Sequence, residues 1–94
     1  MIPTIVLERF PVGQVVITRG ALAELEQQDV LRGLVRHISG DWGELDEQDR
    51  KANDAALEHG GRLLSRYLTP GGTTFWIITE HDRSVTTILL PDEY

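Results

Sequence analysis

The last third of the chain allows few folds, because three short apolar segments are separated there by two tight turns. Arg62 to Thr69 alternates Leu63, Ser65 and Tyr67 with Leu64, Arg66 and Leu68, and Thr74 to Glu80 is rich in β-branched and aromatic residues. Val85 to Leu90 follows and is stopped by Pro91. Pro70-Gly71-Gly72-Thr73 and His81-Asp82-Arg83-Ser84 stand between the segments as reversals. Period-two alternation bounded by turns predicts strands, and hairpin links make neighbouring strands antiparallel. The expectation is a three-stranded antiparallel C-terminal meander with helices over one face.

Upstream, Gln14 to Thr18 reads as a short strand after the Pro11-Val12-Gly13 turn. Thr18 suits the N-cap of a helix from about Arg19 to Gln27. A second helix is predicted over Asp29 to Ile38, with Asp29 as cap, Gly40 as stop, and Val30, Leu31, Leu34, Val35 and Ile38 as its buried stripe. A third runs from about Asp46 to His59, with acids in the first turn and a narrow apolar face of Ala52, Ala55, Ala56 and Leu57. Residues 1–94 thus form a single α+β domain: an N-terminal strand and about three helices packed on the meander. The predicted core is Leu31, Leu34, Val35, Ile38, Leu64, Ile77, Ile78, Ile88 and Leu90.

Charge narrows the partners. Of the net −6, the segment Asp41 to Gly60 carries −5, with seven acids (Asp41, Glu44, Asp46, Glu47, Asp49, Asp54, Glu58) against Arg50 and Lys51. Such a face repels a phosphate backbone, so direct nucleic-acid binding is not expected and a protein with a basic surface is. The chain has no Cys, and His37, His59 and His81 fall at spacings that match no zinc pattern, so neither a metal nor a cofactor is expected. Phosphate-loop, dinucleotide-binding, nucleophile-elbow and H-E-x-x-H signatures are missing. No apolar run of about 20 residues marks a membrane span, and Met1 to Glu8 lacks a basic signal-peptide region. The expected compartment is the cytoplasm.

Several residues could carry chemistry. His37 in a last helical turn is either a dipole-favoured cap or a general acid–base. Arg62 suits a phosphate clamp, and Tyr67 and Thr86 complete the polar set, although Arg62 and Tyr67 point to opposite faces of a regular strand. Asp41-Trp42-Gly43 reads as a loop whose Trp either plugs the core edge or anchors a partner. Asn53, mid-helix among small residues, implies a specific hydrogen bond, structural or catalytic. Asp41, Trp42, Glu44, Asp46, Glu47, Asp49, Asn53, Asp82 and Arg83 make up the candidate binding set, with Asp82-Arg83 as an exposed turn pair.

Two long stretches carry a resemblance. His37-Ile-Ser-Gly-Asp-Trp-Gly-Glu-Leu45 with Asp49, Asn53 and Gly61-Arg-Leu-Leu-Ser-Arg-Tyr67 is one, and Trp76 to Tyr94 is the other. From Phe10 onward the chain resembles a family of small bacterial proteins borne on plasmids, phages and other mobile elements, labelled "plasmid-related protein" or "type I restriction endonuclease subunit M". A DNA methyltransferase needs a Rossmann-like sheet, a Gly-rich cofactor loop and an N-P-P-[FY] motif, and this chain has none of them.

Three functions follow as expectations. One is a mobile-element protein acting by protein binding, an inhibitor of a host defence system such as restriction or CRISPR. The second is a small metal-independent ribonuclease of the barnase, EndoU, colicin and RelE-like kind, using His37, Arg62, Tyr67 and Thr86. The third is a structural or regulatory module without separate activity. Convergence of those four residues on one accessible point separates the enzyme from the binders.

Overall fold

A computed structural model describes residues 8–94, so the signal-peptide reading of Met1 to Leu7 lies outside the described residues. Its elements are β1 (Gln14–Ile17), α1 (Arg19–Glu24), α2 (Gln27–Ile38), α3 (Glu47–His59), β2 (Leu63–Leu68), β3 (Thr74–Thr79) and β4 (Val85–Leu89), followed by a 3-10 turn at Pro91–Glu93. The three C-terminal strands form the expected antiparallel meander. The sheet itself corrects the expectation: it has four strands in the order β1-β4-β3-β2, and β1 joins parallel to β4. Every other strand and helix lies between β1 and its partner in sequence. No hairpin turn signals such a pairing, because parallel neighbours need a long crossover.

The helix boundaries follow from local chemistry. The Thr18 hydroxyl accepts from Ala21 N and starts α1, which ends early because Leu25 turns extended (φ −102°, ψ 143°). Glu26, not Asp29, takes the cap position of α2, and Asp29 sits in the first turn, where a carboxylate complements the helix dipole. Asp46 caps α3 by accepting from Asp49 N at 2.8 Å.

Helix α2 is rotated relative to the sequence expectation. Leu31 and Val35 are 52% and 45% exposed, and the residues facing the sheet are Val30, Gly33, Leu34 and His37. Gly33 explains the close approach: a Cβ there would lie 2.8 Å from the Phe75 ring. Of the predicted core, Ile77, Ile78 and Ile88 are buried, whereas Leu34, Ile38, Leu64 and Leu90 are half-buried. On α3, Ala52 and Ala55 face solvent, and the inward side is Asn53, Ala56 and Leu57.

Two apolar clusters result. One joins Ala21, Tyr67, Phe75, Ile77 and Ile88, and the other joins Phe10, Trp42, Leu45 and Leu63. Both lie on the helix side of the sheet. Along each strand the alternate residues, including Leu64, Trp76, Ile78, Thr87 and Leu89, point to the opposite face, on which no α-helix lies among the described residues, although Ile78 and Leu89 are buried there.

Ile88→Ala is expected to destabilise the fold by about 2–5 kcal/mol, because it deletes a fully buried side chain. Leu31→Ala and Val35→Ala should stay within about 0.5 kcal/mol of wild type, as surface changes do. Urea unfolding of the three variants checks this. Comparable losses at all three positions would mean that α2 packs through the other stripe.

Candidate functional site

Each meander strand places one Ser or Thr hydroxyl on its inward face: Ser65 in β2, Thr79 in β3 and Thr86 in β4, all fully buried. Into them α2 inserts His37, itself 0% exposed. Its Nδ1 lies 2.5 Å from Ser65 Oγ and its Nε2 lies 2.9 Å from Thr79 Oγ1. Thr79 Oγ1 is 2.7 Å from Thr86 Oγ1, which donates to the Val12 carbonyl at 2.8 Å.

The proton positions follow from that last bond. A carbonyl only accepts, so the Thr86 proton points at Val12, and Thr86 Oγ1 accepts from Thr79. The Thr79 proton is thereby committed, and Thr79 accepts from His37 Nε2–H. A neutral ring carrying its proton on Nε2 has a bare Nδ1, which accepts from Ser65. The chain therefore runs in one direction from Ser65 to Val12. It ties α2 to three strands and to the segment entering the fourth.

The surroundings hold the ring neutral. Phe10 and Trp42 pack edge-on against it at 5.2 and 5.8 Å between ring centres. Burial, then the nearby Arg83 charge, lowers its pKa from 6.5 to about 3. His37 is thus a core residue, and this corrects its placement as a helix-end cap.

The four residues considered for catalysis do not meet at one accessible point. His37 and Thr86 share the buried chain, and Tyr67 is buried near its Ser65 end, donating to the Asp41 carbonyl at 2.6 Å. Burial pushes the Tyr67 phenol pKa upward, so the group stays protonated. Arg62 lies on the other side of the sheet, where its guanidinium donates to the Tyr94 hydroxyl at 2.6 Å and pairs with Glu80 at 3.5 Å.

Much of the candidate binding set has structural work. Asp41 accepts from Arg36 at 2.7 Å and from Gly43 N, and the Arg36 hydrogen bond is the main cause lowering its pKa. Trp42 is buried and donates to Asp54 at 3.1 Å, so it plugs the core edge and is no exposed anchor. The Asn53 amide donates to the Leu64 carbonyl at 2.6 Å and accepts from Leu64 N at 3.1 Å. It thereby occupies the outer edge of β2 as a further strand would. One residue pair along, Trp42 O and Glu44 N serve Arg66 in the same way. Gly43 makes that possible: it has φ +76°, and any Cβ would strike the Arg66 carbonyl and the Tyr67 ring.

Asp82 and Arg83 are not a pair. Asp82 accepts from Ser84 N and Oγ, while Arg83 is half-buried and donates to the carbonyls of Gly61, Glu80 and Ala56. Those acceptors hold Arg83 at φ +62°, a left-handed conformation that non-glycine residues rarely adopt. All seven acids of the segment are exposed, but Asp41, Asp46 and Asp54 are hydrogen-bonded into the fold, whereas among the described residues Glu47 pairs only with Lys51 at 3.4 Å and Glu58 lies 3.8 Å from His59.

Sequence reasoning missed the sheet face opposite the helices. Tyr94 lies across it, with its ring 5.5 Å from Trp76 and 5.3 Å from the Arg62 guanidinium. Beside it opens a cleft of about 250 Å³ lined by Arg62, Leu64, Trp76, Ile78 and Tyr94. Trp76 Nε1 is shut off from solvent and has no hydrogen-bond partner among the described residues. The legible signal was apolar residues at both alternations of the strands, which leaves one set without helices to cover it. Among the described residues no helix is long and apolar enough to cross a membrane, and no group of three or more His, Cys, Asp or Glu is placed to hold a metal ion. Comparison with protein-family models, curated proteins and solved structures finds no match to this chain.

The histidine burial has a pH consequence. The unfolded chain binds a proton at His37 below its ordinary value of 6.5, and the folded chain does so only near 3. Between these values the unfolded state holds more protons, so this contribution to stability is complete above about 6.5 and is lost on acidification. Lowering the pH from about 7.5 to about 5.5 should cost about 1 kcal/mol through this group. The loss should persist in a variant carrying His59→Gln and His81→Gln, followed by urea unfolding. No loss in that variant would mean that His37 is protonated as easily folded as unfolded.

Proposed function

We propose that the chain is a protein-binding module of a mobile genetic element, which engages a basic partner through the outer face of α3 and the loop before it. The observation that carries this reading is the division of labour among the acids. Asp41, Asp46 and Asp54 are hydrogen-bonded into the fold, while Glu44, Glu47, Asp49 and Glu58, equally exposed on one helix and its approach, make no side-chain hydrogen bond to it among the described residues. Exposed acids clustered on one element attract a basic surface over a Debye length and steer encounter, giving rate and specificity more than raw affinity.

The partner class fits a host defence machine of the restriction or CRISPR kind in the bacterial cytoplasm, whose nucleic-acid channel is basic. An acidic helix occupying that channel would inhibit it by competing with phosphate. The separation of Arg62 from the buried His37 chain supports binding over the ribonuclease reading, because a phosphodiester site needs acid, base and cation at one phosphate.

The test spares Asp46, whose reversal would remove a helix cap. The triple variant Glu44→Lys, Glu47→Lys, Asp49→Lys should fold normally and lose capture of basic bacterial proteins, with the largest loss at low salt. Capture unchanged by the triple reversal would refute the acidic-helix reading. Cleavage of labelled RNA by the wild type in EDTA, abolished by Arg62→Ala in a folded protein, would replace it with the nuclease.

A further inference from the structure

We propose that the cleft on the sheet face opposite the helices is a small-molecule site for a compact apolar compound bearing one carboxylate, held in competition with Tyr94. Leu64, Ile78 and the Trp76 ring supply apolar walls, Tyr94 closes the cleft, and Arg62 is the one charged side chain among the described lining residues. The site therefore combines an apolar body with a single cation at its rim, the usual composition of a ligand pocket, and its size suits a small ligand. Among the described residues no carboxylate lines this cleft; Glu80, which pairs with Arg62 Nε at 3.5 Å, and Glu93 line the separate hollow that also reaches Arg62 and Tyr94.

Two polar groups define the ligand's acceptor. Trp76 Nε1 is a buried donor with nothing to donate to among the described residues, a condition that native structures seldom leave unexplained. The second is the Arg62 guanidinium, whose Nη1 is occupied by the Tyr94 hydroxyl at 2.6 Å. That hydroxyl holds the place a carboxylate oxygen would take, and the ring beside it closes over Trp76. A planar guanidinium pairs best with a planar carboxylate, and the second carboxylate oxygen can serve the indole once Tyr94 turns aside. A cation would meet Arg62, and a bare inorganic anion would leave the apolar walls unused.

The glutamate next to Tyr94 keeps the segment in reach while the ring moves. Glu93 accepts from Thr18 Oγ1, Gly20 N and Leu90 N, which anchors the 3-10 turn to the β1–α1 junction. Tyr94 itself is 68% exposed.

The experiment follows the indole N–H signals of the full chain by NMR during titration with phenylacetate, hydrocinnamate and cyclohexanecarboxylate, each beside its amide. At least one acid should produce a saturable downfield shift of the Trp76 signal, with the amide weaker by about tenfold or more. Arg62→Gln should weaken binding similarly, and Tyr94→Phe, which removes the competing hydroxyl and keeps the ring, should tighten it a few-fold. The Trp42 signal, bonded to Asp54, should stay in place and report an intact fold in each variant. A Trp76 signal unmoved by every acid at millimolar concentration would overturn the site, as would equal binding of acids and amides or indifference to Arg62→Gln. Self-association of the free protein that alone accounts for the shift would assign the cleft to a second copy instead.

Discussion

The directional hydrogen-bond chain from Ser65 through His37, Thr79 and Thr86 to Val12 fixes how this small fold is assembled. Each link must be made, because a buried polar group without a partner costs about 1–3 kcal/mol. A change in the rotation of α2 or in strand register would break links in several elements at once. The chain runs between the two apolar clusters, and its ring packs against Phe10 and Trp42. It therefore specifies one arrangement of a core that hydrophobic burial alone would leave less determined. The exposure of Leu31 and Val35 follows from the same constraint. At about 100° per residue, Val35 lies roughly 160° around the helix from His37.

A second constraint is the protection of the β2 edge. Asn53 and the Trp42–Glu44 loop pair with its outward backbone groups, so that edge offers no template for another strand. This explains why a polar residue sits mid-helix and why Gly43 is needed. It also explains the fate of several acids. Asp41 and Asp54 brace the loop through Arg36 and Trp42, and Asp46 starts the helix that delivers Asn53. Function is left to side chains that these duties do not consume.

The meander was legible because period-two alternation and turn residues are local signals, and the same holds for α3, whose acidic first turn lies within the helix itself. Strand β1 was recognised as a strand but not as a sheet neighbour of β4, since its partner lies some seventy residues away with no hairpin between them. His37 was singled out for the wrong reason. Its position near a helix end suggested dipole capping, whereas Ser65, Thr79 and Thr86 at inward strand positions were the signal for a buried set of hydroxyls. The tight approach at Gly33 and the anchoring of Arg83 on three carbonyls depend on tertiary distances that no local pattern encodes. Of the candidate site, the acidic helix was readable as charge, and the cleft beside Tyr94 was not, because its walls come from strands and a terminal segment that meet only in the fold.

The most direct measurement is the protonation state of His37, followed through its ring nitrogens by long-range nitrogen–proton NMR from about pH 8 to about pH 5. If the hydrogen-bond chain organises the core as described, His37 stays neutral throughout, with its proton on Nε2 and Nδ1 bare. A ring that carries its proton on Nδ1, or that gains a second proton near neutral pH, would contradict the direction of the chain and the burial on which this account rests.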